Sequence, residues 1–154
     1  MLHYLILSAV IIALDQLSKA WILAHFQEYQ VQVIWPVFNL TLVYNTGAAF
    51  SFLADAGGWQ HYFFVSLASG VSLVLIIWLK RLSTGEHWVA WALALVIGGA
   101  LGNLVDRLLH GKVVDFLQWH WQSYYWPTFN VADMAITAGV ILLLIDSFRT
   151  RHTA

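Results

Sequence analysis

Four stretches of this chain stay apolar long enough to cross a bilayer, which takes a helix of about 20 apolar residues. Residues 2–26 form the first, interrupted by Asp15 and Lys19. Residues 62–79 form a cleaner one, residues 88–109 are apolar until their far end, and residues 131–148 carry Asp133 near their start. Between the first two lies "EYQVQVIWPVFNLTLVYNTGAAF", which alternates with period two at residues 30–33 and is rich in β-formers from Phe38 to Tyr44. Asn45-Thr46-Gly47 then supplies turn chemistry. The pattern predicts a small antiparallel sheet over about residues 28–55, resting on the membrane surface. The following "SFLADAGGW" predicts a short interfacial helix. Residues 110–127 carry "WHWQSYYW" and read as a loop anchored at headgroup level by its aromatic side chains.

Composition agrees with a membrane fold. The 154 residues are 60% hydrophobic, with a mean hydropathy of +0.71, well outside the soluble range. Four spans consume most of the chain, so one domain over residues 1–154 is expected, with no internal repeat. The first span lacks a basic leading region and a small-x-small cleavage site, and so reads as a retained anchor. Orientation follows from Lys and Arg in the short connections. Lys80 and Arg81 follow the second span, Arg149 and Arg151 follow the fourth, and the first connection has neither residue type. Both termini and the 80–87 loop are therefore expected in the cytoplasm, which makes the sheet extracytoplasmic. Trp78, Trp88 and Trp91 fit an inner aromatic belt; Trp59, Trp119, Trp121 and Trp126 fit an outer one. The chain has no cysteine, which excludes a thiol nucleophile, a disulfide and a Cys-based metal site. No basic run points to nucleic acid.

This topology gathers polar groups from separate pieces of sequence at one depth, near the outer leaflet. Asp15 and Lys19 lie past the midpoint of the first span; Asn103, Asp106 and Arg107 end the third; Asp115 follows; Asn130 and Asp133 start the fourth. Such groups are costly in a membrane unless they face one another, a cavity or a bundle interior. Several have a structural reading. Asp15 and Lys19 are spaced i, i+4 for an ion pair on one helix face, Asp106 and Arg107 can brace neighbouring helices, and Gly98 and Gly102 suit close helix packing. His110, His120 and Asp115 match no metal motif, so no metal is expected.

Asp115 and Asp133 differ. Neither adjoins a basic residue, and they sit among apolar neighbours in "VVDFL" and "NVADMA". Two such carboxyls brought together share one proton, giving a base and an acid at once. The ionised one takes a proton from water while the protonated one donates to a carbonyl. Other hydrolytic schemes lack their parts: there is no G-x-S-x-G elbow and no H-E-x-x-H. A proton-coupled transporter also carries intramembrane acids, but a relay crosses the bilayer, whereas these groups cluster at one face. A structural or assembly protein would not require two unpaired acids at one depth.

Four stretches, "DQLSK" at 15–19, "YNTGAAFS" at 44–51, "GGALGNLVDRLLHGKVVDF" at 98–116 and "FNVADMAI" at 129–136, together resemble the bacterial lipoprotein signal peptidase family, signal peptidase II. The resemblance implies a membrane α-helical fold of four transmembrane helices with a small extracytoplasmic antiparallel β-sheet cradle. It implies an aspartic endopeptidase that removes the signal peptide from diacylglyceryl-modified prolipoproteins, cutting just before the lipidated cysteine. It makes Asp115 and Asp133 the catalytic pair and puts Asp15, Lys19, Asn45, Gly47, Asn103, Asp106, Arg107, Asn130 and Ala132 on positions that bind substrate or support the site. It implies no cofactor and no metal. Expected partners are lipid-modified prolipoprotein signal peptides and membrane lipids, not nucleic acid. The expected setting is a monomer in the bacterial cytoplasmic (inner) membrane.

Overall fold

In the computed structural model, residues 2–47 and 57–151 are described. Motif residues 48–51 and residues 51–56 of the short helix expected at 51–59 lie outside them. The chain runs α1 (Leu2–His25), β1 (Val31–Trp35), β2 (Phe38–Asn45), α2 (Trp59–Arg81), α3 (His87–His110), β3 (Val113–Trp121), β4 (Tyr124–Tyr125) and α4 (Val131–Arg151). All four helices are long and apolar enough to cross a membrane.

Helix α3 is the hub. Of its apolar span 61% is buried inside the protein, against 28% for α1, 17% for α2 and 11% for α4. Small residues make this possible, because lipid competes equally for apolar side chains and helices in a membrane gain most from close backbone approach. A Cβ on Gly98 would come within 2.9 Å of the Ile11 Cβ, and one on Gly102 within 2.9 Å of the Asp15 Oδ2, so both face α1. A Cβ on Gly99 would run into the Ala132 carbonyl oxygen of α4. Gly139 completes that second seam, where a Cβ would lie 2.7 Å from the Ala92 carbonyl oxygen. The packing role expected of Gly98 and Gly102 is thus the one the helices use.

The sheet is antiparallel in the order β1-β2-β3-β4. It rests on the end of α1, where Ile22 and Phe26 pack with Leu42, Val114 and Phe116. One expectation needs correcting. Residues 113–121 are not an aromatic loop but the long strand β3, paired to β2 through Val43↔Asp115 and Tyr44↔Val114. The residues that suggested anchoring are also good strand formers. They alternate: Val114 and Phe116 turn into the core, whereas Val113, Asp115 and Trp119 turn to a cavity. Gly111, at φ +71°, ends α3 in the left-handed conformation that glycine adopts without strain and sends the chain back into β3.

Candidate active site

One strand-like pairing and one helix cap bring Asp115 and Asp133 together. The residues before α4 pair with the edge of β3: Phe129 N–H donates to the Leu117 carbonyl at 3.0 Å and Leu117 N–H returns to the Phe129 carbonyl at 2.9 Å. Asn130 therefore lies beside Asp115, and α4 starts there. Its Oδ1 accepts from the Asp133 N–H at 2.9 Å, while the Asp133 Oδ2 accepts from the Asn130 N–H at 3.3 Å. This reciprocal pair is of the kind that caps a helix start. Both carboxylates line one cavity of about 890 Å³, with Asn45, Asn103 and Arg107.

Three asparagines aim donors at the two acids. Asn130 Nδ2 donates to the Asp115 Oδ1 at 2.7 Å, Asn45 Nδ2 to the Asp115 Oδ2 at 3.1 Å, and Asn103 Nδ2 to the Asp133 Oδ1 at 2.7 Å. The amide orientations are set by what each Oδ1 accepts. Gly47 N–H holds the Asn45 oxygen at 2.9 Å, Lys19 Nζ holds that of Asn103 at 3.1 Å, and the Asp133 N–H holds that of Asn130. Gly47 also accepts from Arg107, whose Nη2 reaches its carbonyl at 3.0 Å, with the guanidinium 5.3 Å from the Phe64 ring centroid.

Behind the pair lies a buried ion triad. Lys19 Nζ is 2.7 Å from the Asp15 Oδ2 and 2.9 Å from the Asp106 Oδ2. Each carboxylate of the triad also holds the backbone just before one of the cavity acids. The Asp15 Oδ1 accepts from the Ala132 N–H at 2.9 Å, and the Asp106 Oδ2 accepts from the Val114 N–H at 3.0 Å. Neither Asp15 nor Asp106 lines the cavity. Ala132 is fully buried between α1 and α3, where a larger side chain would meet Gly102.

On β3, burial and the negative charge of Asp133 push the Asp115 carboxyl up to about 7. The hydrogen bonds from Asn45 and Asn130 and the charge of Lys19 pull the other way without prevailing. A carboxyl that keeps its proton near neutrality beside a second acid is equipped for proton transfer in both directions.

All eleven residues singled out in the sequence thus meet at one end of the bundle, in two layers. Gln16 was missed. Its Nε2 bridges the Asp106 Oδ1 at 2.8 Å, the Asp15 Oδ2 at 3.2 Å and the Gly102 carbonyl at 3.2 Å. Its place inside "DQLSK" was the available signal. Trp119, Trp126 and Phe129, read as part of an anchoring segment or not assigned, line the cavity.

The chain is similar to known proteins in both sequence and fold. The family model described as signal peptidase (SPase) II matches residues 7–149. Lipoprotein signal peptidases of Pseudomonas aeruginosa (strain UCBPP-PA14), Xylella fastidiosa (strain M12) and Pseudomonas fluorescens are 54%, 53% and 52% identical over 154 residues. The alignments cover 99% of this chain and 91%, 92% and 91% of those proteins. Two solved bacterial membrane enzyme structures, obtained by the in meso method at 2.3 and 1.9 Å resolution, superpose with TM-scores of 0.87 and 0.83. They are 29% and 28% identical in sequence, over 97% and 95% of this chain and 89% and 92% of theirs.

Proposed function

The chain belongs to the signal peptidase II family, and on that premise we propose that it removes signal peptides from diacylglyceryl-modified prolipoproteins by an aspartic mechanism. It is a multi-pass membrane peptidase. The observation that carries the mechanism is the meeting of Asp115 and Asp133 at one cavity, with amide donors on both. With one proton between them, the ionised carboxylate takes a proton from water as the water oxygen attacks the scissile carbonyl. The protonated acid donates to the carbonyl oxygen. Collapse of the tetrahedral intermediate breaks the C–N bond: the proton taken from water passes to the leaving nitrogen, and one hydroxyl of the intermediate returns its proton to the other carboxylate, which restores the starting pair. Asn45, Asn103 and Asn130 hold the pair in position; the triad of Asp15, Lys19 and Asp106 fixes the backbone behind it. Arg107 and Gly47 shape the cavity wall, and Ala132 lets α4 sit close.

The chain works as a single domain and a monomer in the bacterial cytoplasmic membrane. Lys80, Arg81 and Arg149 mark the cytoplasmic end together with both termini, so the carboxylates lie near the outer leaflet, at the depth of the substrate's scissile bond. The two acyl chains contribute binding by apolar burial, so purified protein should cleave a diacylglyceryl precursor and leave the same precursor unmodified. Equal cleavage of both would remove the lipid from the proposal.

The pair also makes a pH prediction. Above about pH 7 the Asp115 proton is lost, and with it the acid that protonates the carbonyl. kcat/KM should therefore fall on the alkaline side of neutrality. The Asn45 amide favours the ionised form of Asp115, so Asn45→Ala should move this limb to higher pH. A limb that stays in place would take Asp115 out of the titration. Stability has the matching sign. As pH rises from about 4 to about 7 the unfolded chain releases this proton while the folded chain keeps it, so the contribution of Asp115 to stability falls over that window.

A further inference from the structure

The cavity does not end at the carboxylates. It continues along α4 past Met134, Thr137, Ala138 and Ile141, whose i, i+3, i+4, i+7 spacing makes one helix face. Met134 and Ile141 are about half exposed, and Thr137 and Ala138 are exposed. The stripe begins one residue beyond Asp133 and, at 1.5 Å per residue, descends about 10 Å into the apolar span. Its middle is small and its ends are large, so it forms a shallow saddle, the shape that lets a second helix cross closely. The seam with α3 lies elsewhere on the helix, at Gly99–Ala132 and Ala92–Gly139.

Other apolar faces are exposed too, including Leu14 and Leu17 on α1 and Leu73 and Val74 on α2. None of these four residues lines a cavity that holds the two aspartates. Of these faces, the α4 stripe alone is therefore continuous, through one cavity, with the two aspartates at its head.

Resting on the function above, we propose that this stripe docks the apolar helix of the signal peptide, with Thr137 and Ala138 setting how closely that helix approaches. The substrate helix rises from the cytoplasmic side, antiparallel to α4, and delivers the bond that follows it to Asp115 and Asp133. The aromatic wall of Trp119, Trp126 and Phe129 is left for the diacylglyceryl group.

Two substrates separate the occupants: a full diacylglyceryl precursor, and a short diacylglyceryl peptide that spans the scissile bond but lacks the apolar helix. Ala138→Phe fills the saddle. It should reduce kcat/KM for the precursor by about ten- to a hundredfold, and by at least about tenfold more than for the short peptide. Ala138→Leu should give a smaller loss with the same bias, and serves if the bulkier variant does not fold. Val74→Phe, on the exposed face of α2, should leave both substrates unaffected. Equal losses on the two substrates would place the acyl chains on the stripe and overturn the proposal; so would no loss on either. Failure of the wild-type protein to cleave either substrate would instead count against the function on which the proposal rests.

Discussion

Asp115→Asn and Asp133→Asn should each lower single-turnover cleavage by about 10²- to 10⁴-fold, the range associated with a positioned acid–base group. The amide is nearly the shape of the carboxyl but cannot take up and release a proton. Because the two acids work as one unit, the double variant should be little worse than either single. Folding should survive, since two effects oppose each other. Asn130 and Asn45 donate to both oxygens of Asp115, so an amide there turns its own NH₂ toward a donor. That mismatch costs about 1–3 kcal/mol, but the change also removes a carboxyl that burial and Asp133 disfavour in its charged form. Thermal unfolding in detergent should therefore stay near wild type while cleavage of the lipid-modified precursor collapses. Near-normal cleavage by either variant would rule out the two-aspartate mechanism.

What the sequence reveals of this arrangement depends on how far apart the interacting residues are. The spans are legible because a bilayer demands length and apolarity from each helix separately. Only edges shift: α2 starts at Trp59, earlier than the hydrophobic run implies, after Gly58 at φ +99°. Strands β1 and β2 are legible from local alternation. Strand β3 is not, because its partner β2 lies about 70 residues away by the numbering of Val43↔Asp115, and an aromatic run suits an interface as well as a strand. Its overlooked signal is Gly111, which closes α3 and leaves no room for a loop. The Asp15–Lys19 pair follows from i, i+4 spacing, as expected. The addition of Asp106 to it does not, since that requires α1 and α3 to meet at Gly98 and Gly102. The same crossing hides the role of Gln16, whose amide spans the two helices.

Lys19→Met should destabilise the protein by about 3–5 kcal/mol, the usual consequence of stripping the counter-charge from a buried ion pair. Lys19 is only 2% exposed, Asp15 is fully buried and Asp106 is 2% exposed, so water cannot replace the ammonium. Without it the two carboxylates retain Gln16, Ala132 and Val114 as donors but no hydrogen-bonded cation. Neutralising them as well, in Asp15→Asn/Lys19→Met/Asp106→Asn, should recover most of the lost stability, because buried ion groups replaced together by neutral ones of similar volume are often tolerated. Activity should not recover with it. An Asn Oδ1 at 15 or 106 can still accept from the Ala132 or Val114 N–H, but Met offers no donor in place of the ammonium that turns the Asn103 amide toward Asp133. Thermal unfolding and kcat for the lipid-modified precursor, measured on the same preparations, separate the two effects. A triple variant that regains both would make the triad a packing element with no part in placing the pair, and a Lys19→Met protein as stable as wild type would show that its ammonium does not balance the buried charge.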